Sequence, residues 1–153
     1  MKQIFSFNKI LFYVIIFCGL LGSSCKKDSL TNAQGATLLE KFFEDNVLNK
    51  NIIITLATDN GTDITSRYNG YVFIMRKGTY YNGNLEAMKN SITYTGTWSS
   101  NEDYSKLVIT LPSIPGELVF LQREWRFTRK TTTQMDLAPW GSSEPDVLNM
   151  VRQ

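Results

Sequence analysis

Six aromatic side chains stand out as the residues that could do chemistry here: Tyr71, Phe73, Tyr94, Trp98, Trp125 and Phe127. Within their segments they recur at every second position, so their rings gather on one side of each strand. Such a set forms either a plain core or the lining of a cavity for a small apolar ligand. Tyr80, Tyr81 and Trp140 lie beside turn residues, where exposed rings can stack on a glycan. Asp59, Asn60, Gly61 and Asp63 could offer oxygens to calcium, but the alternating acids and distal Glu of an EF-hand loop are missing. They read as a hairpin turn with self-bonding side chains. Glu102, Asp103, Glu117 and Glu124 are the nearest approach to paired carboxylates, and they read as solvated charges. Arg123, Arg126, Arg129 and Lys130 surround Trp125 and Phe127. A basic strand with aromatics suits phosphate, an acidic glycan or single-stranded nucleic acid, but it reads first as a core face opposite a solvated one. The sequence contains no histidine, so the commonest general base and transition-metal ligand is missing. No Gly-x-Ser-x-Gly elbow and no glycine-rich phosphate loop occurs. The expectation is a protein without catalytic residues, metal or cofactor.

The remaining reactive groups are two cysteines, Cys18 and Cys25, and both belong to the first segment. Lys2 and Lys9 precede the uncharged run Ile10 to Leu21, and Gly22, Ser23 and Ser24 follow. The run has 12 residues, short of the roughly 20 needed to span a bilayer. A basic start, a short apolar middle and a small-residue site make a secretory signal peptide over residues 1–24. Leu21 to Cys25 (LGSSC) resembles a bacterial lipobox, with Gly22 where the pattern usually has Leu. That resemblance implies cleavage after Ser24, with Cys25 thioether-linked to diacylglycerol as the acylated N-terminus. Cys18 then departs, Cys25 carries lipid, and no thiol remains for a disulfide or a zinc site. Removal of Lys2 and Lys9 from the 16 basic residues balances the 14 acidic ones. Export argues against nucleic acid as a partner.

These groups need a scaffold to position them. The chain of 153 residues is 42% hydrophobic and 20% charged, which fits one globular domain. Residues 25–35 are polar and read as a tether, leaving a domain over 36–153. From Ala36 to Asn49 the apolar residues Leu38, Leu39, Phe42, Phe43 and Val47 follow helical spacing. Thr37 and Glu40 form a capping-box pattern at its start. From Asn51 the period becomes two. Ile52, Ile54 and Leu56 alternate first, then a turn at Asp59-Asn60-Gly61, then Tyr71, Phe73 and Met75. Thr79 to Tyr81 reads as a short strand and Asn82-Gly83-Asn84 as a turn. Ile92, Tyr94, Gly96 and Trp98 share a face, and Ser99 to Tyr104 reads as a polar turn. Leu107, Ile109 and Leu111 alternate up to Pro112, and Pro115-Gly116 turns the chain. Leu118, Phe120, Trp125 and Phe127 follow, with a break near Gln122. Beyond a turn at Arg129-Lys130, Met135 and Leu137 alternate, and Val147 to Val151 reads as a last strand. About eight short strands without crossover helices predict an all-β fold with one N-terminal helix. They form an antiparallel up-and-down meander closing into a small barrel or half-barrel. A barrel of that size is either filled or holds one small ligand.

Gly61 to Phe73 (GTDITSRYNGYVF), Gly96 to Ser99 (GTWS), Lys106 to Ile109 (KLVI), and Glu124 to Phe127 (EWRF) with Met135 to Leu137 (MDL) together resemble the lipocalin-like lipoproteins of Bacteroidetes-type bacteria. Gly96-Thr97-Trp98 is similar to the Gly-x-Trp that opens the first strand of lipocalins, although here it sits mid-chain. The resemblance implies a small β-barrel in the bacterial cell envelope, anchored at the outer membrane, within a family that mostly lacks an assigned activity. The expected function is non-enzymatic binding of a small apolar ligand or a glycan. The alternative is a structural or protein-interaction module, such as an assembly factor or a hydrolase inhibitor.

Overall fold

A computed structural model describes residues 37–153. The signal peptide, the lipidation site Cys25, the tether and Ala36 lie outside the described residues. One helix, α1 (Leu38–Asn46), is followed by nine antiparallel strands. They are β1 (Ile52–Asp59), β2 (Thr62–Asp63), β3 (Val72–Met75), β4 (Asn82–Lys89), β5 (Ile92–Ser100), β6 (Lys106–Thr110), β7 (Glu124–Lys130), β8 (Gln134–Pro139) and β9 (Val147–Arg152). From β3 to β9 each strand pairs with the next, and β9 returns to pair along β1. The β1–β3 seam is joined by Ile52 opposite Phe73. Eight strands thus close a barrel, with β2 as a short arm on β1. Asn60 and Gly61 between β1 and β2 both have positive φ, as a two-residue hairpin turn requires.

Helix α1 begins where the sequence places it. Thr37 Oγ1 accepts the Glu40 N–H at 3.1 Å, and the Glu40 carboxylate accepts the Thr37 N–H in return. The helix stops at Asn46, three residues short of the periodicity. There Leu48 forms a parallel bridge with Met75, and the Asn49 N–H donates to the Met75 carbonyl at 2.8 Å. Phe43 and Val47 are buried against the barrel. Leu38 and Leu39, expected on the same apolar face, are exposed. Nine residues make only two and a half turns, and no described residue covers one side of the first turn.

Side chains from all eight barrel strands pack into one core that includes Ile52, Phe73, Leu85, Trp98, Leu107, Trp125, Leu137 and Leu148. Helix α1 covers one end of the barrel. Two 3-10 turns, Thr65–Tyr68 and Gly116–Leu121, cover the other, burying Tyr68, Leu118, Phe120 and Leu121. The latter segment corrects the reading of Leu118 and Phe120 as strand: its 3-10 hydrogen bonds turn both side chains under the barrel.

Local alternation fails at four places, each for a structural reason. A bulge between Ile54 and Leu56 shifts the phase of β1, so Ala57 faces the core and Leu56 does not. Asn82-Gly83-Asn84 lies in β4, and the turn lies after it at Asn90-Ser91, both at positive φ. Gly83 is there because a Cβ would lie 2.0 Å from the Arg76 carbonyl oxygen, so it serves close approach and not a bend. Tyr104 is not part of a solvated turn, since a left-handed backbone at φ 49° folds its ring into the core. Arg129 and Lys130 continue β7, and Thr131 to Thr133 make the turn, closed by the Thr131 N–H on the Gln134 carbonyl at 2.8 Å.

Candidate functional site

The helix-covered end of the barrel holds the candidate site, an apolar cavity of about 230 Å³ lined by Leu39, Phe42, Phe43, Tyr104 and Lys130. Three walls come from α1, one from the β5–β6 connection and one from the last residue of β7. Phe43 sets the floor. It stacks on Tyr104 at 4.5 Å between ring centres, meets Trp98 at 5.7 Å, and takes Phe127 edge-on at 6.2 Å. The Tyr104 hydroxyl donates to the Tyr80 carbonyl at 2.6 Å, so the ring is fixed at both ends.

Lys130 reaches this site because of a bulge. Phe127 pairs with Leu137, but Arg129 pairs with Asp136 and Lys130 with Met135, leaving one extra residue on β7. Phe127 and Lys130 therefore share the inner face, while Arg129 points outward to bind Asp136 at 2.7 Å. The Lys130 ammonium sits 4.9 Å from the Phe127 ring centre and donates to the Tyr104 carbonyl. Burial pushes it down from the ordinary lysine range, and the charge of Asp103 offsets this only in part.

Polar clamps hold α1 over the cavity. Lys77 pairs with Glu44 at 2.6 Å, and Arg152 donates to Asn46 at 3.4 Å. The buried Glu40 accepts the Tyr81 hydroxyl and the Thr37 N–H, which hold its carboxyl below its usual range. The same bond to Glu40, with burial, pushes Tyr81 up to about 12. A pH prediction follows from this network. Tyr71 is also pushed up to about 12, mainly by burial, and burial drives Tyr68 and Tyr104 upward as well. Folded values above the unfolded value of about 10 add stability that is present below pH 10 and lost as pH rises through about 12. We expect these four phenols to stay mostly protonated at pH 11 while the chain in denaturant is about nine-tenths ionised. Complete phenolate absorbance at pH 11 with a native circular dichroism spectrum contradicts this.

The six aromatics expected to line a cavity all belong to or pack against the core. Tyr71, Phe73, Trp98 and Trp125 are buried, and Tyr94 and Phe127 are partly buried. Of the six, Trp98 and Phe127 stand behind Phe43, the floor of the cavity just described. Asp59 accepts from the Asn60 side chain and Asp63 from the Thr65 N–H, as turn residues do. Among the described residues no three acidic or cysteine side chains stand together as a metal site. The carboxylates disperse: Glu124 pairs with Lys106, Glu117 accepts the Tyr71 hydroxyl, Asp103 accepts the Ser105 N–H, and Glu102 is exposed. The basic strand disperses too. Arg123 leaves it for the buried Asp146 at 2.6 Å and lies over the Phe120 and Trp125 rings, while Arg126 is exposed. Trp140 is partly exposed, under the Lys106 ammonium at 5.0 Å.

At the opposite end a wider cleft of about 380 Å³ lies between Arg67, Gly116 and Glu117. Its walls are an exposed guanidinium, a carboxylate and a glycine, without an aromatic or aliphatic residue among them. The cavity under α1 combines apolar walls with one convergent cation and is the better candidate. Sequence reasoning missed it because Leu39, Phe42 and Phe43 read as a packing face and Lys130 as a turn residue. The usable signal was Tyr104, a lone ring inside the polar segment Ser99 to Ser105. Compared with protein-family models, curated proteins and solved structures, the chain matches none.

Proposed function

We propose that this chain is an exported, lipid-anchored, non-enzymatic binding protein of the bacterial envelope, related to the lipocalin-like lipoproteins, that takes a small apolar molecule under helix α1. The apolar cavity between α1 and the barrel rim carries this reading. Its volume is below the 300–1,000 Å³ of sites for drug-sized ligands, so a short chain or a single ring fits. The lipobox-like Leu21 to Cys25 supports anchoring at the outer membrane through an acyl group on Cys25. Cells fed an alkyne fatty acid should label the protein and not its Cys25→Ser variant. Native mass spectrometry of the labelled protein should then show a non-covalent small molecule. Leu39→Glu, at a partly exposed position, should lose that molecule and keep the acyl label. Equal labelling of Cys25→Ser overturns the anchoring, and an acylated chain without any small molecule overturns the binding.

A second reading, a protein-interaction module, rests on Ile114 and Val119 at the opposite end. They are 82% and 49% exposed beside the Gly116–Leu121 turn. A co-purifying protein lost on Ile114→Asp favours it.

A further inference from the structure

The cavity under α1 has an electrostatic asymmetry that narrows its ligand. Four of its five lining residues, Leu39, Phe42, Phe43 and Tyr104, present apolar surface, and the fifth is Lys130. An ammonium has three donors. The Tyr104 carbonyl takes one, the Phe127 ring lies against another side, and no carboxylate of the described residues stands within ion-pair distance of Nζ. Asp103, whose charge partly offsets the burial of Lys130, accepts the Ser105 N–H at 2.9 Å. Glu40, on the same helix as three of the walls, is occupied by Tyr81 and Thr37. A half-buried cation without an ion pair, its burial only partly offset by the charge of Asp103, gains from an anion brought to it.

We propose, resting on the binding reading above, that the ligand is a short aliphatic carboxylate whose chain lies between Leu39, Phe42 and Phe43 and whose carboxylate pairs with the Lys130 ammonium. The arrangement separates the two parts of such a molecule. The aliphatic chain covers Leu39, which is half exposed, and Phe42. The carboxylate takes the donors that Tyr104 leaves free, in a site dry enough to strengthen the pair. An uncharged chain of equal length gains the first part only. A cationic amphiphile meets Lys130 as a like charge and is excluded. Lys130 and not Arg129 fills this role because the bulge in β7 turns it inward.

The test is photo-crosslinking to the anchored protein in nanodiscs of zwitterionic lipid, with diazirine-tagged decanoate and diazirine-tagged decanol as probes. Labelled peptides are mapped by tandem mass spectrometry. Decanoate should label the α1 peptide or the Tyr104 peptide at least about tenfold more than decanol, an energy difference of about 1.4 kcal/mol. Lys130→Met should bring decanoate down to the decanol level, and Lys130→Arg should retain most of the labelling. Equal labelling of the wild-type protein by the two probes overturns the carboxylate assignment and leaves the apolar site standing. Unchanged decanoate labelling in Lys130→Met does the same. No labelling at either peptide by either probe overturns the site itself. The comparison of probes on the unmodified protein needs no variant to fold.

Discussion

Replacing Trp125 with alanine is expected to lower the unfolding free energy by about 3–5 kcal/mol. The ring is fully buried near the start of β7, and its Nε1–H donates to the Leu121 carbonyl at 3.0 Å. Phe120 packs 5.5 Å away, and the Arg123 guanidinium lies 5.2 Å above the ring on its way to Asp146. Truncation leaves a cavity, removes one of the two hydrogen bonds to the Leu121 carbonyl, and strips an ion pair of its backing. Trp98 should behave alike. It is 1% exposed, and its indole N–H donates to the Arg76 carbonyl at 2.9 Å, tying the β3–β4 connection to the core. A small domain holds only about 5–15 kcal/mol in total, so either change removes a large share. Urea unfolding at constant pH measures it. A loss below about 1 kcal/mol with an unchanged spectrum would place that ring outside the core.

A single methyl group should do comparable damage at Gly96. There a Cβ would lie 1.9 Å from the Thr110 carbonyl oxygen and 2.9 Å from the Leu111 Cα. Both obstacles are backbone, which cannot rotate away as a flexible side chain does. Gly96 pairs with Leu85 on β4 and lies next to Thr97, which pairs with Thr110 on β6. Gly96→Ala must therefore push β6 off β5 where the sheet curves. We expect a loss of about 3 kcal/mol, and a fall in Tm on the order of 10 °C. Gly116→Ala is the control, because its added Cβ meets nothing within 4 Å and its φ is not left-handed. It should stay within about 0.5 kcal/mol of the parent. Equal effects of the two substitutions would show that the β5–β6 approach is not as close as described.

The candidate site was less legible than the fold. Its walls were all visible as residues, but not as a set. Leu38 and Leu39 sit in phase with Phe42 and Phe43, so hydrophobic spacing assigns all four to one buried face. A helix of two and a half turns laid across a barrel end has room to bury only its inner side. Phe43 goes inward and Leu39 is left at the rim. The Glu40 carboxylate shows the same limit. The capping pattern announces its bond to Thr37, whereas its second bond, to Tyr81 across 41 residues, depends on where β4 begins. Asn82-Gly83 looked like a turn because Asn-Gly is the strongest local hairpin signal. Here the glycine answers to the Arg76 carbonyl above it and the strand runs through.

Some features were settled by the sequence acting locally. The capping box of Thr37 and Glu40 starts the helix wherever it packs, since both of its hydrogen bonds lie within four residues. The period of two in Tyr71 to Met75, Leu107 to Leu111 and Met135 to Leu137 sends one face of each segment to a core. Short turn-bounded strands without crossover helices leave an antiparallel meander as the economical order. Tertiary structure alone decided which residues face inward beyond the bulges in β1 and β7. Closing eight strands requires the sheet to coil, and an extra residue on one strand supplies that curvature. Each bulge reverses the alternation after it. Ala57 replaces Leu56 in the core, and Lys130 replaces Arg129 at the mouth beneath α1. Alternation within a strand holds no information about the register of its neighbour, so the Lys130 cation that faces the cavity was placed by closure of the barrel.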